Sequence, residues 1–372
     1  MSTTRIVVQI PDEEQYDVRI GDDVLERLGA TIVEEGILKL GGRVLIITDS
    51  NVAPLYLARA KASLKGAGLI VDDITIPAGE ASKCLSIAGE VWEAMAALGL
   101  GRDCLVVALG GGVIGDIAGF VASTYMRGVS VVQVPTTLLS MVDSSVGGKT
   151  GVNLIAGKNL VGTFCQPSYV CASTDVLSTL DEREWRCGLG EIAKSAVLDS
   201  DEFFFWLLDS SSCMVERKQE QVAEAVSRCV VFKANIVAQD ATESHGIREC
   251  LNFGHTLAHA IEKLSGYGTF SHGEAVAEGM RFALLLSERM IGAEAAFTET
   301  VCGLLDSLGL FPLDWNAPID EIVDCMKGDK KVRAGALRFV LMDDVASWQL
   351  VQVPDEILRE ALEEYFEGKK EA

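Results

Sequence analysis

The segment from Leu138 to Asn153 has the composition of a ligand-binding loop and lacks the period of a core helix or strand. It contains hydroxyl side chains, glycines, one acid at Asp143 and one lysine at Lys149. Glycine lets the backbone approach a ligand closely, and hydroxyls, amides and ammonium groups bind oxygen-rich ligands. Between Arg127 and Phe164 there are three basic residues and one acid, in a chain of formal net charge −22. We therefore expect a phosphate or carboxylate site here, with an ordinary flexible surface loop as the alternative.

A second candidate site is the glycine run Gly110–Gly112, which directly follows a predicted strand and opens a predicted helix. Glycines at such a turn admit a pyrophosphate, and the helix N-terminus favours its negative charge. The spacing is not G-x-G-x-x-G, so a simple strand–helix turn is the alternative. Asp49 ends another predicted strand, where its carboxylate would either bind a ribose hydroxyl or cap a helix.

A metal site is the third possibility. All four histidines fall in one short window: His245, His255, His259 and His272. His255 and His259 are four residues apart and share a helical face, as Glu191 and Lys194 do at a spacing of three. Two histidines and one carboxylate would hold a catalytic zinc with a position open to substrate. Histidine pairs on helices are also found as ordinary core residues, so the pattern leaves both interpretations open.

Composition excludes several classes of partner. With 54 acidic and 32 basic residues, the chain would be repelled by nucleic acid and by anionic membrane surfaces. The apolar stretch Leu105–Ala122 contains five glycines and Asp116, so it is not a membrane span. The ten cysteines are scattered without a C-x-x-C pair, and the first residues lack an apolar signal core. We expect reduced thiols in a cytoplasmic protein, or a plastid one if a targeting segment has been removed.

The first half of the chain alternates strand-like and helical patterns, which predicts βαβ units and a mostly parallel sheet. Predicted strands are 43–48, 69–76, 104–109 and 130–134, and predicted helices are 52–66, 82–98 and 113–122. From about residue 181 the apolar residues recur at helical spacing. Predicted helices there are 182–199, 201–209, 216–239, 251–264, 273–291 and 297–308, with a short strand at 337–342. We place a domain boundary near residue 180, separating an α/β domain (1–180) from a mostly helical one (181–372).

Five segments together resemble the 3-dehydroquinate synthase family of sugar-phosphate cyclases: Gly110–Asp116, Tyr125–Gly128, Val142–Asn153, Leu251–Thr256 and His272–Val276. The matching segments extend from residues 48–54 to residues 329–331, nearly the whole chain. The resemblance implies a Rossmann-like α/β N-terminal domain beside an α-helical C-terminal domain, usually as a homodimer. It also implies conversion of a phosphorylated sugar acid, 3-deoxy-D-arabino-heptulosonate 7-phosphate, to 3-dehydroquinate and phosphate. The implied cofactors are NAD and a divalent metal, zinc or cobalt.

The resemblance also implies residue roles. Its metal ligands fall on Glu191, His255 and His272, which leaves His259 as an acid/base or phosphate-contacting residue. Implied catalytic residues are His259, Lys194, Glu243, Arg127, Asp143 and Lys149. Implied substrate contacts are Asn159, Lys233, Arg248, Asn252 and Lys330 or Lys331. Implied NAD contacts are Asp49, Asn51, Glu80, Lys83, Gly111, Gly112, Asp116, Thr136, Thr137, Lys158, Thr179 and Glu184.

The chain departs from the family pattern before Leu251. The segment Asp240–Arg248 is one residue longer than usual, so Glu243 lies five residues before Arg248 instead of four. Three other interpretations of the whole chain remain. The first is a different sugar-phosphate cyclase, such as a 2-deoxy-scyllo-inosose or valiolone-type synthase, and the second is a metal- and NAD-dependent polyol dehydrogenase. The third is a non-catalytic metabolite-binding or scaffold protein, which would show no turnover at all.

Overall fold

The computed structural model describes residues 3–11, 13–266, 268–328 and 337–371. The chain divides into two compact units. The first comprises the residues up to Asp181 together with Val222–Thr242, and the second comprises Glu182–Gln221 and the residues from Glu243 onward. The sequence pattern did not indicate that 222–242 would group with the first unit.

The first unit is built on a seven-stranded sheet in the order β1-β2-β9-β6-β5-β3-β4. Only the β1–β2 pair is antiparallel, and all other neighbours in this sheet are parallel. The strands are β1 (Thr4–Val8), β2 (Tyr16–Gly21), β3 (Arg43–Asp49), β4 (Ile70–Ile76), β5 (Leu105–Gly110), β6 (Ser130–Pro135) and β9 (Tyr169–Ser173). The helices are α1 (Leu28–Glu34), α2 (Ala58–Gly66), α3 (Leu85–Ala97), α4 (Gly112–Thr124) and most of α7 (Gln219–Gln239).

The central strand β5 explains why the sheet is parallel. All six of its residues are buried, and its sequence is a continuous apolar run instead of an alternating one. Strands of this kind occur where helices cover both faces of a sheet. One face of the core includes Val91 and Met95 of α3 and Ile117 and Val121 of α4. The predicted α/β fold of this half of the chain is confirmed.

The segment 138–153 is not the structureless loop that its composition indicated. Its last residues belong to β7 (Lys149–Leu154), which pairs antiparallel with β8 (Gly157–Phe164). Glycines interrupt the alternating pattern by which a strand is recognised. One of them is Gly162, where a Cβ would lie 2.0 Å from the carbonyl oxygen of Thr150, so only glycine fits. Hydroxyls replace apolar packing here, since the side chains of Thr150 and Thr163 hydrogen-bond across the pair at 2.8 Å.

The second unit is helical, as predicted, with one hairpin. Its elements are α5 (Glu182–Asp199), α6 (Asp201–Val215), α8 (His255–Leu264), α9 (His272–Ile291), α10 (Ala295–Ser307), α11 (Ile319–Gly328), β10 (Leu337–Asp344), β11 (Ser347–Val353) and α12 (Asp355–Glu371). The predicted helix 251–264 begins only at His255, because Gly254 takes a left-handed conformation with φ 77°. Across the described parts of both units, helices that combine the length and apolarity needed to cross a bilayer are absent.

Close backbone contacts at glycines hold α5, α8 and α9 together. A Cβ on Gly190 of α5 would lie 2.5 Å from the carbonyl oxygen of Gly273 in α9, and one on Gly273 would lie 2.1 Å from that of Cys187. A Cβ on Gly279 would lie 1.8 Å from the carbonyl oxygen of Gly254, at the start of α8. Real Cβ atoms do not approach backbone this closely, so these helices can only pack as they do with glycine at the contacts.

We predict that Gly190→Ala lowers the melting temperature, because the added methyl overlaps the backbone of α9. Overpacking of this kind destabilises by about 1–3 kcal/mol. Gly303 of α10 is the matched control, since a Cβ there meets nothing within 4 Å. Gly303→Ala should stabilise by about 0.5–1 kcal/mol, because alanine loses less conformational entropy than glycine in a helix. Thermal unfolding followed by circular dichroism measures both, and equal melting temperatures would contradict the argument.

Candidate active site: a metal cluster and a glycine turn

Three side chains of the second unit converge on one point. The Oε1 atom of Glu191 lies 3.5 Å from Nε2 of His255 and 3.6 Å from Nε2 of His272. These three ligand atoms all lie within 4.8 Å of one another. They meet because Glu191 follows Gly190, His255 follows Gly254 and His272 precedes Gly273, so the glycine contacts also set the spacing of the side chains.

Both imidazoles are oriented through their other ring nitrogen. The Nδ1 atom of His255 lies 3.1 Å from the carbonyl oxygen of Phe253, and that of His272 lies 3.4 Å from Oε2 of Glu262. These contacts at Nδ1 leave Nε2 of each ring facing Oε1 of Glu191. Histidine ligands of metal ions are typically oriented in this way.

Lys194 controls the charge of Glu191. Its ammonium group lies 2.5 Å from Oε2 of Glu191 and donates to the carbonyl oxygen of Leu251 at 2.9 Å. Burial alone would raise the pKa of Glu191, but the charge of Lys194 and the neighbouring imidazoles hold that pKa well below its ordinary value. Both side chains are buried. Glu191 is therefore a carboxylate, which is the form that binds a metal.

The two histidines differ in charge. Burial and the nearby Lys194 ammonium hold the pKa of His255 well below its ordinary value, so this imidazole is neutral. Burial also opposes a charge on His272, but the neighbouring carboxylates of Glu191 and Glu262 outweigh it and raise the pKa of His272 to about 10. The carboxylates of Glu191 and Glu262 thus favour positive charge on His272, whereas His255 stays uncharged.

These residues fit a divalent cation. Oε1 of Glu191 is buried and accepts no hydrogen bond from the described residues. Donor atoms on a tetrahedral ion with bonds of about 2.1 Å are separated by about 3.4 Å, close to the observed 3.5 and 3.6 Å. Two nitrogens and one oxygen would leave a fourth position open, as catalytic sites do.

The glycine turn lies in the first unit. Gly111 is the N-cap of α4 and supplies no side-chain cap, so the first amides of the helix are left for an external acceptor. Nearby, the ammonium group of buried Lys83 is hydrogen-bonded to Asp116 of α4 and to the side-chain oxygen of Asn159. Burial raises the pKa of Asp116, and the charge of Lys83 opposes this effect. An uncapped helix N-terminus after a parallel strand is suited to a pyrophosphate.

Asp143 and Lys233 form a second pair in the first unit. The ammonium group of Lys233, on α7, donates to Oδ1 of Asp143 at 2.7 Å and to its carbonyl oxygen at 2.5 Å. The exposed fraction of the Lys233 side chain is 9%, against 35% for Asp143. This contact holds the turn Ser140–Ser144 against α7.

Comparison with known families identifies the chain. A family model described as 3-dehydroquinate synthase N-terminal matches residues 73–187, and one described as 3-dehydroquinate synthase C-terminal matches residues 188–332. The two matches are contiguous and cover well over half of the chain. The chain belongs to the 3-dehydroquinate synthase family. It is accordingly an enzyme of the phosphate-eliminating cyclase class.

Individual relatives agree with this family. The 3-dehydroquinate synthase of Acidithiobacillus ferrooxidans is 43% identical over 327 residues, which is 88% of this chain and 90% of that protein. Among solved structures, the 2-epi-5-epi-valiolone synthase of Streptomyces hygroscopicus, with NAD+ and Zn2+ bound, is 30% identical with a TM-score of 0.85. It is matched over 97% of this chain and 99% of that one. A 2-deoxy-scyllo-inosose synthase complexed with carbaglucose-6-phosphate, NAD+ and Co2+ is 26% identical with a TM-score of 0.84, over 97% of this chain and 100% of that one.

The structure brings several of the residues implied by the family into two groups. In the second unit, Glu191, Lys194, His255 and His272 lie together, and the ring of His259 lies 5.6 Å from that of His255 between centroids. In the first unit, Lys83 hydrogen-bonds Asp116 and Asn159 directly, and Asn153 links Glu80 to Asn159.

The remaining predicted residues lie in turns and at element ends. Oδ1 of Asp49 accepts from the backbone amides of Asn51 and Val52, so it caps the turn after β3. Glu243 has a positive φ of 59° and precedes the turn Ile247–Asn252, which carries Arg248 and Asn252. Arg127 and Lys149 are exposed. Thr136 and Thr137 follow β6, Gly112 opens α4, and Lys158 lies in β8. Thr179 hydrogen-bonds Tyr56, and Glu184 lies in the first turn of α5. Lys330 and Lys331 fall outside the described residues.

Two polar residues orient other side chains in a way that the sequence pattern did not predict. Glu262 contacts His272, and Asn153 lies between Glu80 and Asn159. Glu262 carries a usable signal, since it lies seven residues after His255 and so two turns along the same face of α8. Nothing in the sequence pairs it with His272, which lies on the next helix.

We predict that Glu262→Gln weakens binding of a divalent ion by about tenfold or more, because losing a carboxylate partner of a ligating histidine typically has this effect. Competition with a fluorescent zinc chelator measures the affinity. Glu299→Gln, at an exposed position of α10, is the matched control and should retain full affinity. Unchanged affinity in Glu262→Gln would show that His272 needs no such partner.

Proposed function

We propose that this chain converts 3-deoxy-D-arabino-heptulosonate 7-phosphate to 3-dehydroquinate and phosphate, a step of the shikimate pathway and of aromatic amino acid biosynthesis. The observation that carries the proposal is the convergence of Glu191, His255 and His272 beside buried Lys194, within the segment that the C-terminal family model matches. The identity of 43% to a 3-dehydroquinate synthase exceeds the 26–30% to the two other cyclases, which supports this substrate over theirs.

Glu191, His255 and His272 are the proposed metal ligands. Zinc or cobalt is the proposed ion, since Zn2+ and Co2+ occur in the two solved cyclases. When bound, such an ion supplies Lewis acidity toward a substrate oxygen. Lys194 then neutralises Glu191 from its other oxygen and keeps that ligand ionised.

NAD is the proposed second cofactor, held at the start of α4. When bound, NAD supplies a hydride acceptor that is restored within each turnover. Gly111 and Gly112 leave room for its pyrophosphate at the uncapped helix. The other proposed contacts are Asp49, Asn51, Glu80, Lys83, Asp116, Thr136, Thr137, Lys158, Thr179 and Glu184.

Basic and amide side chains are proposed to bind the phosphate and the carboxylate of the substrate. A chain of net charge −22 repels such an anion, so capture depends on cations concentrated at the site. The proposed residues are Arg127, Asp143, Lys149, Asn159, Lys194, Lys233, Arg248, Asn252 and Lys330 or Lys331. Asp143 fixes the ammonium group of Lys233 at 2.7 Å, which orients this cation before the substrate arrives.

His259 and Glu243 are the proposed proton carriers. His259 lies one turn after His255 on the same face of α8, so it stands next to the metal ligands without joining them. Glu243 takes the general-base role of the family although its segment is one residue longer. Its left-handed backbone, with φ 59°, is a strained conformation of the kind found at functional sites.

A cytoplasmic homodimer is the proposed setting. All ten cysteines lie among the described residues and are free thiols, which agrees with a reducing compartment. Sedimentation of the purified protein tests the homodimer.

The function is tested by giving the metal-loaded enzyme NAD and the heptulosonate phosphate while phosphate and NADH absorbance are followed together. We predict sustained phosphate release without net NADH, because hydride is returned in every turnover. One NADH per turnover would instead identify a polyol dehydrogenase. Phosphate release only from a hexose or heptulose phosphate that lacks the carboxylate would identify a different cyclase.

We predict that His259→Ala retains the metal while turnover falls by about 100-fold or more, the usual contribution of a general acid–base group. His272→Ala should lose the metal as well as activity. Metal content by elemental analysis and steady-state phosphate release measure the two effects. His245→Ala, at the exposed remaining histidine, is the control and should change neither. Loss of metal in His259→Ala with retention in His272→Ala would reverse the ligand assignment.

A further inference from the structure

Asn153, near the end of β7, makes three hydrogen bonds within the first unit. Its side-chain Nδ2 donates to Oε1 of Glu80 at 2.7 Å, and its Oδ1 accepts from the backbone amide of Asn159 at 2.9 Å. Its own backbone amide donates to the carbonyl oxygen of Lys83 at 2.8 Å. The side chain is half-buried.

An amide side chain supplies both the donor and the acceptor that these two side-chain bonds require. A carboxylate such as Glu80 can only accept, and a backbone amide can only donate, so the group between them must donate on one side and accept on the other. Aspartate at this position would place two carboxylates in contact. A serine hydroxyl can donate and accept, but its side chain is one atom shorter and cannot span both partners.

The contacts of Asn153 close a ring. The ammonium group of Lys83 donates to Oδ1 of Asn159, whose backbone amide returns to Asn153. Asn159 has a left-handed backbone with φ 56°, a conformation that asparagine adopts more readily than most residues. The hydrogen bond from its backbone amide to Asn153 therefore fixes a turn in which the Asn159 side chain contacts Lys83.

We propose that Asn153 is a positioning residue that couples Glu80 and Lys83, on the nucleotide side of the site, to Asn159, on the substrate side. This inference rests on the proposed function, since it takes those three residues as ligand contacts. Asn153 acts through them and need not touch either ligand. Its amide makes the placement of Glu80 depend on the conformation of the turn at Asn159.

The test is a cycle of four proteins, each the full zinc-loaded chain: wild type, Asn153→Asp, Glu80→Gln and the double variant. The affinity for NAD+ is measured by isothermal titration, and KM and kcat by phosphate release. Asn153→Asp should weaken NAD+ binding by about tenfold or more and raise KM, because a charge-assisted hydrogen bond is replaced by repulsion. In the Glu80→Gln background the same change should cost about threefold or less, because the glutamine amide now donates to the new carboxylate.

A loss of NAD+ affinity that does not act through Glu80 would not be rescued by moving the donor to position 80. Equal losses from Asn153→Asp in both backgrounds would therefore overturn the inference, as would an unchanged NAD+ affinity. Asn316→Asp, at an exposed position of the second unit, controls for the chemical change and should match wild type. If Asn153→Asp does not fold, Asn153→Ala takes its place, and it should weaken NAD+ binding more in wild type than in the Glu80→Gln background, because only the contact with Glu80 depends on that carboxylate.

Failure of the proposed function gives a different result. Wild type that binds NAD+ but releases no phosphate from the heptulosonate would overturn that function, while the NAD+ titrations would still decide the role of Asn153. Wild type that does not bind NAD+ would overturn both.

Discussion

The second unit depends on backbone contacts that only glycine permits. Gly190 and Gly273 bring α5 against α9, and Gly279 brings α9 against the start of α8 at Gly254. Because Glu191, His255 and His272 are the sequence neighbours of these glycines, the distances between the ligand atoms are set by backbone packing. Metal sites tolerate errors of only about 0.2 Å in ligand distance, and positions on packed helices meet that tolerance better than loops do.

In the first unit, the comparable constraint is the placement of buried cations in a strongly acidic protein. Beyond about 10 Å the charges of other parts of the surface are largely screened by salt, so the affinity for an anion is determined locally. Buried Lys83 and Lys233 each contact a carboxylate, Asp116 and Asp143. Such pairing offsets the desolvation penalty of the ammonium groups and fixes their positions. It also lowers the net positive charge that each lysine presents to an anion.

Local pattern predicted much of this architecture, and the failures have physical causes. The helix 182–199 was predicted with its observed bounds, and β3 to β6 were placed within two residues, because long apolar periods report burial directly. The β7–β8 hairpin was missed because glycines and hydroxyl pairs make its contacts. The grouping of 222–242 with the first unit was missed because periodicity identifies a buried face without identifying what covers it. The residues of the site came mainly from the family resemblance, and Glu262 and Asn153, which act through other side chains, had no pattern of their own.

Lys194 decides which oxygen of Glu191 is available as a ligand. Its ammonium group takes Oε2 at 2.5 Å and is held in place by the carbonyl oxygen of Leu251. Oε1 is thereby left facing both imidazoles, and the carboxylate is limited to binding through one oxygen. A bidentate carboxylate would occupy a further coordination position of a small ion, whereas a monodentate one leaves that position for substrate. In the proposed metal site, the spacing of three residues between Glu191 and Lys194, which places both on one face of α5, would therefore determine the open coordination position as well as the charge of the ligand.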